Sequence, residues 1–527
     1  HSLFKTAATT LKKPLALFDA KGPWLVVGIT LLFLLLAAPP VFAQDAPATG
    51  VDIVFQPIVK VLATLLFFKI GGENGFPFIV LWLFVGAIFF SLRMGFINLR
   101  GFKHAIDVVR GKFDDPHDEG EVSHFQALAT AVSGTVGLGN IAGVAVAIQL
   151  GGPGAMVWLT LAGFFGMVTK FVECSLAVKY RRILEDGTVL GGPMYYLNRG
   201  LSDKGMRPLG QGLAVLFCIL CMLGSLGGAN MFQSNQAYAA ISGLIPGLPA
   251  WLFGLLFAAL AAFVIIGGIR RIGAVAEKLV PAMAAIYAIA CLFVIVVNIG
   301  QVPAAIGTII SQAFAPTAVA GGIVGVMVQG IRRSSFSNEA GVGSAAIAHS
   351  AARTDEHIRE GMVSLLEPFI DTIIICNMTA IAIVLTGVYQ DTGEELSGVA
   401  MTASAFGSVI GWFPVILSIA VCLFAFSTVI SWSYYGIQAW TYLFGSRTTM
   451  IFKLIYVGCT FLGALTSLGV IIDFSDLTLL GMAFPNLIGC YILSNELAGD
   501  LKDYWQRLTS GQMETYDQTL ASASSEG

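Results

Sequence analysis

The sequence is poor in charged side chains: Asp, Glu, Lys and Arg make up only 12% of its 527 residues, and the formal net charge is −3. A chain with so little basic character lacks the positive surface that nucleic-acid binding requires. It also lacks a Walker lysine motif, a zinc-ligand motif and a Gly-x-Ser-x-Gly nucleophile motif. These absences argue against an ATP-driven pump and against an enzyme, so we expect no catalytic residues and no cofactor.

Histidines and cysteines are too few and too scattered to suggest a metal centre. The eight cysteines all lie in apolar stretches, and Cys218 and Cys221 fall within one of them. Buried cysteines of this kind usually serve packing rather than redox or metal chemistry.

Hydrophobic residues, by contrast, account for 56% of the chain, and its mean hydropathy is +0.80. Values this high are typical of proteins that cross a membrane many times. We therefore predict an all-α polytopic membrane protein.

The first 122 residues divide into two parts. Residues 1–43 combine four lysines, an apolar run at 24–36 and a small-residue end, which is the pattern of a signal peptide; an uncleaved extra span is the alternative. Residues 44–122 contain a predicted amphipathic surface helix, a first span at 76–92 and a loop rich in Arg and Lys. The positive-inside rule makes that loop cytoplasmic, and the mature N-terminus is then outside.

The rest of the chain contains ten further apolar segments in two sets of five. The first set, in residues 123–300, is expected at 125–150, 155–178, 212–240, 251–266 and 279–299. The second set, in residues 301–497, begins with an interrupted segment near 337 and continues at 363–386, 412–435, 450–467 and 470–493. Residues 498–527 form a polar tail. The apolar piece at 318–331 is too short to span, and Arg332 and Arg333 directly after it lie along the surface or face a water-filled vestibule.

Each set opens on a segment that glycine interrupts. Residues 131–143 read AVSGTVGLGNIAG, and residues 337–347 read SNEAGVGSAAI. Aligned without a gap, Ser337 falls on Ser133, Gly341 on Gly137 and Gly343 on Gly139. Close helix packing through small residues is one explanation. Interrupted segments at corresponding positions of two halves are, however, the best sequence indication of a transporter's central site. Because each set has an odd number of spans, the two repeats are inverted.

The motifs around these segments resemble those of the alanine or glycine:cation symporter family, within the amino acid–polyamine–cation superfamily. The resemblance runs from about residue 76 to residue 497. It is carried by stretches at 123–128, 137–143, 151–155, 191–196 and 336–341, which read SHFQAL, GLGNIAG, GGPGA, GGPMYY and FSNEAG. It implies the five-plus-five inverted repeat of the bacterial sodium/leucine transporter, preceded by one extra N-terminal helix, which gives about eleven spans. It also implies Na⁺-coupled uptake of a small neutral amino acid across a bacterial inner membrane.

Two departures from the family pattern bear on the substrate. The family usually has Ser or Thr at the position of Leu138, and Gly-Leu at the positions of Ser334 and Ser335. Both lie near the expected pocket, so the choice between alanine, glycine and larger amino acids stays open, as does the oligomeric state.

The expected substrate site lies at the two interruptions. N–H groups of a broken helix suit a carboxylate, and freed carbonyls of residues 335–338 suit an ammonium group. The residues predicted to bind substrate are Gly137, Leu138, Gly139, Gln233, Ser335, Phe336, Ser337, Asn338 and Trp432. Asn235, a second polar residue beside Gln233, is assigned an interhelical hydrogen bond.

The coupling cation is expected to bind oxygen atoms, because Na⁺ is a hard cation. The resemblance places the hydroxyls of Ser427 and Thr428 beside the carbonyls of Ser133 and Val136. Asp371 lies within a span, where an ionisable residue costs at least ~2.5 kcal/mol and is functional by default. The residues predicted to bind the cation are Ser133, Thr135, Val136, Asn140, Asp371, Ser427 and Thr428.

Three other ionisable residues lie within predicted spans. Lys170 and Glu173 suggest an ion pair near the cytoplasmic end of their span, and Glu339 is expected to be held by N–H groups of the interruption. Two functional alternatives remain at this point: coupling to H⁺ through Asp371 or Glu367, and a sensor that binds an amino acid without transporting it.

Overall fold

The computed structural model describes residue 60 and residues 63–518 apart from 73–74, 116, 316–321, 391–397 and 467–468, and gives only the backbone of 469–473. The predicted signal peptide at 1–43 lies outside the described residues, as does most of the predicted surface helix.

The first half of the described chain consists of helices and two short hairpins. Its α-helices are α1 Phe78–Arg93, α2 Ile97–Arg100, α3 Phe102–Val109, α4 His124–Thr135, α5 Val144–Gly151, α6 Ala155–Lys179, α7 Pro193–Tyr195, α8 Leu201–Asp203, α9 Arg207–Leu226, α10 Phe232–Leu244, α11 Ala250–Ile265 and α12 Gly268–Val297. The strands β1 Lys69–Ile70 and β2 Phe76–Pro77 pair antiparallel, as do β3 Arg182–Ile183 and β4 Val189–Leu190. These two-residue strands were not predicted.

The second half consists of helices joined by short loops, with no named strand among its described residues. Its α-helices are α13 Val302–Gln312, α14 Gly322–Asn338, α15 Ser344–His349, α16 His357–Ser364, α17 Leu366–Pro368, α18 Asn377–Thr386, α19 Val399–Gly407, α20 Phe413–Phe444, α21 Thr449–Leu465 and α22 Gly469–Thr509. Short 3₁₀ turns occur at Ile299–Gln301, Val388–Gln390 and Ser446–Thr448.

Four π-helical turns interrupt the helices. They lie at Gly139–Gly143, Tyr196–Gly200, Gly227–Met231 and Phe369–Cys376. Such turns are rare and are frequent at functional sites. Through the third of them α9 continues directly into α10.

Seven of the described helices are long and apolar enough to cross a membrane, or eight if the bent pair α4 and α5 counts as one span. The apolar helices α1 and α11 are shorter. The apolar helices fall at the predicted spans, but three of them extend well past the predicted bounds: α12 begins already at Gly268, α20 continues to Phe444, and α22 continues to Thr509. The described part of the short apolar piece at 318–331 begins at Gly322 and belongs to α14, which runs on through Arg332 and Arg333.

Both predicted interruptions are present, and they differ in form. Between α4 and α5 the chain bends by 52°, with Val136 in an extended conformation. Between α14 and α15, Glu339, Gly341 and Gly343 have φ values of 53°, 92° and 88°. This left-handed conformation favours glycine. A Cβ atom at Gly343 would also lie 2.7 Å from the Pro193 ring.

The start of α4 and the end of α15 are bound to each other. The Arg353 N–H donates to the Val122 carbonyl at 2.8 Å, beside a parallel bridge between Val122 and Ala352. Arg181 donates to four carbonyls of the two segments, those of Glu119, Ser350, Ala352 and Thr354, at 2.6–2.9 Å. We call this arrangement the Arg181 clamp.

A buried carboxylate reinforces the clamp. The two oxygens of Glu360 on α16 bond to Nδ1 of His124 and Nδ1 of His349. His124 begins α4 and His349 ends α15, so one side chain joins the two interrupted segments.

Candidate functional site

A cavity of about 340 Å³ lies where the two interruptions meet. Gly137, Leu138 and Gly139 of the first interruption line it, together with Phe336 and Glu339 of the second. Of the residues predicted to bind substrate, six line this cavity: Gly137, Leu138, Gly139, Gln233, Phe336 and Trp432.

One end of the cavity is apolar and the other offers hydrogen bonds. Leu138 and Trp432 are almost completely buried and form apolar wall. Gln233 donates from Nε2 to the Gly228 carbonyl at 3.3 Å, while its Oε1 has no partner among the described residues. This buried oxygen can accept a hydrogen bond from a ligand's ammonium group. Asn235 instead donates to the Thr466 carbonyl at 2.5 Å, as assigned to it above.

Ser335, Ser337 and Asn338 do not line the cavity. They belong to the last turn of α14, because that helix continues to Asn338 and the interruption starts only at Glu339. Ser335 donates to the Ile331 carbonyl of its own helix at 3.1 Å. Ser337 and Asn338 face the π-helical turn Phe369–Cys376, where they contact Asp371 and Thr372. The carbonyls of 335–338 are the last four of α14, which have no following N–H groups of their own helix to bond with, so their proposed contact with an ammonium group stays a prediction.

Asp371 connects the two interruptions. Its Oδ1 accepts from Asn140 Nδ2 at 2.6 Å, and its Oδ2 accepts from the hydroxyls of Ser337 and Thr372 at 2.6 and 2.8 Å. Asn140 in turn accepts from the Gly137 N–H at 2.8 Å. The donors are all neutral, and Asp371 is fully buried without a basic partner among the described residues. A buried carboxylate of this kind is suited to a cation.

A second group of oxygens lies where α4 meets α20. The hydroxyls of Ser427 and Thr428 lie 3.2 and 3.3 Å from the Ser133 carbonyl, and the Ser133 hydroxyl donates to the Ser427 carbonyl at 2.8 Å. Val136 is the C-terminal cap of α4, and Thr135 and Thr428 reach the cavity. The structure therefore brings together Ser133, Ser427 and Thr428 of the predicted oxygen set, and both hydroxyls of α20 are also bonded to the Phe424 carbonyl.

Four polar residues of the cavity were not predicted: Gln236, Arg333, Ser475 and Asp476. Arg332 pairs with Asp476 at 3.3 Å, and the Arg333 guanidinium lies 5.5 Å from the Phe336 ring centre. The sequence feature that could have indicated Arg333 is the pair of arginines directly after an apolar segment. Two explanations were given for that pair, a position along the membrane surface and a water-filled vestibule. The position of Arg333 at the cavity fits the vestibule.

The acidic residues near the second interruption have partners that the sequence did not indicate. Lys170 pairs with Glu367 at 3.1 Å rather than with Glu173, and both partners are fully buried. Glu173 accepts from Asn486 Nδ2 at 2.5 Å, and Glu339 accepts from the Ser344 hydroxyl.

Two interrupted helices that meet at a cavity with hydrogen-bonding groups, within a multi-pass helical protein, define a secondary transporter. The comparison with known sequences gives the family. The sodium:alanine symporter family matches residues 66–518, and the chain belongs to this family. It is accordingly an integral membrane transporter and not an enzyme.

Individual relatives agree with this assignment. The sodium/alanine symporter AgcS of Methanococcus maripaludis is 39% identical over 430 residues, which cover 81% of this chain and 94% of the relative. The amino-acid carrier protein AlsT of Bacillus subtilis is 36% identical over 428 residues, with coverage of 80% and 88%. Among solved structures, MhsT in complex with L-phenylalanine gives a TM-score of 0.44 at 16% identity, covering 72% of this chain and 99% of that one.

Proposed function

We propose that this chain is a Na⁺-coupled symporter that takes up a small neutral amino acid, such as alanine or glycine, across a bacterial inner membrane. The observation that carries the proposal is the cavity bounded by both interruptions, with a buried carboxylate and a hydroxyl–carbonyl group beside it. The relative AgcS is named a sodium/alanine symporter, and this name supports Na⁺ as the coupling ion and alanine as a substrate.

The substrate is assigned to the cavity. Its ammonium group meets the unpaired Oε1 of Gln233, and its carboxylate meets N–H groups of the first interruption at Leu138 and Gly139. The Gly137 N–H becomes available if Asn140 turns away from it. Phe336 and Trp432 enclose the substrate side chain. Ser337 and Asn338 act indirectly, by fixing the π-helical turn that carries Asp371.

Sodium is assigned to two places. One is the oxygen group of Ser133, Val136, Ser427 and Thr428. The other is the carboxylate of Asp371, which the amide oxygen of Asn140 joins when that amide turns from the orientation in which its Nδ2 donates to Asp371. Both contain only oxygen donors, which suits a hard cation. Thr135 lies between the first place and the cavity. Coupling then follows because cation and substrate use the same interruption of the first helix.

Transport is proposed to proceed by alternating access in a five-plus-five inverted repeat. The repeats occupy residues 123–300 and 301–497, after one extra helix, so that about eleven spans result with the mature N-terminus outside. The Arg181 clamp holds the two interrupted helices to each other at one end, so they move as a unit against the other helices.

Uptake into proteoliposomes tests the proposal. We expect labelled alanine or glycine to accumulate when a Na⁺ gradient is imposed and not when a K⁺ gradient replaces it. Accumulation driven only by a pH gradient would instead favour H⁺ coupling. H⁺ is the second candidate because all hydrogen-bond donors to the buried Asp371 carboxylate are neutral, so this carboxylate could bind a proton in place of Na⁺.

Replacing Thr428 by Val is expected to raise the Na⁺ concentration for half-maximal uptake about tenfold, because the loss of one oxygen ligand costs about 1.4 kcal/mol. Uptake at saturating Na⁺ should stay within about twofold of wild type. The matched control is Thr441→Val on the same helix, where the hydroxyl bonds to the Ile437 carbonyl at 2.7 Å. If the two variants need the same Na⁺ concentration for half-maximal uptake, Thr428 is not a ligand of the cation.

Replacing Leu138 by Ala is expected to shift the substrate preference toward larger neutral amino acids. Because the side chain lines the cavity, its truncation should raise leucine uptake relative to alanine uptake by roughly tenfold. Leu128→Ala, on the same interrupted helix but away from the cavity, serves as the control. An unchanged ranking in competition assays would contradict a role for Leu138 in selectivity.

A further inference from the structure

A group of buried ionisable side chains lies next to the second interruption, and the proposed transport cycle gives it no role. We call Lys170, Glu173, Glu339 and Glu367 the lysine cluster. Lys170, Glu173 and Glu367 are completely buried, and Glu339 is 5% exposed. Besides its ion pair with Glu367, Lys170 interacts electrostatically with Glu173 and Glu339.

The charges of the cluster do not balance. One ammonium group faces three carboxyl groups, and full ionisation would leave two net negative charges in the interior of a membrane protein. Such an excess is costly, and buried acids relieve it by binding protons. At least one of the three carboxyl groups is therefore expected to be neutral.

The contacts single out Glu173 as the proton carrier. Glu367 is neutralised directly by Lys170, and Glu339 accepts from the Ser344 hydroxyl. Glu173 interacts with two neutral groups, the Asn486 amide and the Gly341 backbone, and its Oε2 is buried without a hydrogen-bond partner among the described residues. Oε2 of Glu367 is equally unpartnered, but the charge of Glu367 is balanced by Lys170. A neutral carboxyl group tolerates an unpaired oxygen at far lower cost than a carboxylate does.

A metal ion is a poor alternative ligand. Within the described part of the chain, no three acidic, histidine or cysteine side chains converge on a common point that could hold one. A proton needs only a single oxygen atom. Other titratable groups interact with members of the cluster: Cys174 on α6, Tyr196, Cys221 on α9, Asp371, Tyr435 on α20 and Cys490 on α22.

Two contacts link Glu173 to the cavity. Glu339 belongs to the cluster and also lines the cavity. Asn486 donates both to Glu173 and to the Gly341 carbonyl, which lies within the second interruption, at 2.5 and 2.8 Å. Positive charge or backbone movement at the interruption is thus felt at Glu173.

We propose that Glu173 is a proton-binding site that releases its proton when Na⁺ and the amino acid enter the cavity. Na⁺ at Asp371, which interacts electrostatically with Glu339, together with the ammonium group in the cavity offsets the negative charge next to the cluster, so that the cluster tolerates an ionised Glu173. This inference rests on the proposed function, because it requires the cation that is assigned there to Asp371.

Proton release by purified protein provides the test. Na⁺ and L-alanine are added in a weakly buffered detergent solution that contains a pH indicator, and wild type is expected to release about one proton per transporter. Glu173→Gln should reduce the release at least fivefold while Na⁺-dependent binding of labelled alanine persists. Glu185→Gln, in an exposed loop, should release as much as wild type.

Three results would overturn the inference. Wild type that binds alanine without releasing protons excludes the site, and release that persists in Glu173→Gln but disappears in Asp371→Asn assigns the proton to Asp371. If Glu173→Gln does not fold, the infrared difference spectrum of wild type decides: ligand addition must remove a protonated carboxyl band, and an unchanged band contradicts the proposal. Absence of Na⁺-dependent alanine binding would instead defeat the proposed function, and this inference with it.

Discussion

Replacing Asp371 by Asn is expected to lower Na⁺-driven alanine uptake about 100-fold. The substitution preserves the size of the side chain but removes the negative charge that compensates a bound cation. It also leaves one amide oxygen for the three donors of Asn140, Ser337 and Thr372. The loss of a buried charged interaction costs about 3 kcal/mol, which corresponds to roughly two factors of ten.

The control for this variant is Asp186→Asn, in an exposed turn where the carboxylate accepts from the Thr188 N–H at 3.0 Å. Uptake by that variant should equal wild type. Monodisperse Asp371→Asn protein with nearly normal uptake would show that the carboxylate is dispensable, and the assignment of Na⁺ to this place would fail.

Replacing Arg181 by Ala is expected to release the clamp and to lower uptake at least tenfold. Four carbonyls lose a charged donor, and each such hydrogen bond contributes about 1.5–3 kcal/mol. The segment after α15 should then open more often. Trypsin cleavage at the exposed Arg353, followed by mass spectrometry, is expected to accelerate at least tenfold.

The neighbouring Arg182 gives a matched comparison, because it is exposed and follows directly in the chain. Arg182→Ala should leave both uptake and the rate of cleavage at Arg353 unchanged. Equal cleavage rates in the two variants would mean that backbone pairing between Val122 and Arg353 is sufficient to hold the interrupted helices together.

The positions of both interruptions could be read from the sequence, because glycine in an apolar segment has a direct backbone consequence. The first is centred on Gly137, as predicted, and Gly341 and Gly343 of the second adopt positive φ angles. The meeting of Ser133 with Ser427 and Thr428 was also predicted, although only through the family resemblance.

The direction in which individual side chains point could not be predicted. Ser337 and Asn338 were assigned to the substrate, yet α14 extends through both of them, and its helical phase turns them toward Asp371 and Thr372. That phase depends on how α14 packs against its neighbours, and a shift of one residue in its register rotates a side chain by about 100°. For the same reason Arg333 was recognised as unusual but was not assigned to the cavity.

Ion-pair and hydrogen-bond partners from distant parts of the chain could not be predicted from the sequence either. Lys170 and Glu173 are three residues apart on α6, which favours a local pair, but Lys170 pairs with Glu367 instead. The competing partner of Glu173 is Asn486, on the last helix. Such choices depend on how the helices pack, which a pattern of residue types does not specify.

The π-helical turn Phe369–Cys376 makes the transporter sensitive to the length of its chain as well as to its residues. Removing one residue from this turn would convert it to an ordinary α-helix, and the side chains within the turn would then point in other directions relative to the helical segments on either side. Asp371 could not then face Asn140 while Thr379 keeps its 2.8 Å contact with Tyr287. During the divergence of related chains, single-residue deletions in this turn are therefore expected to be eliminated even where conservative substitutions persist.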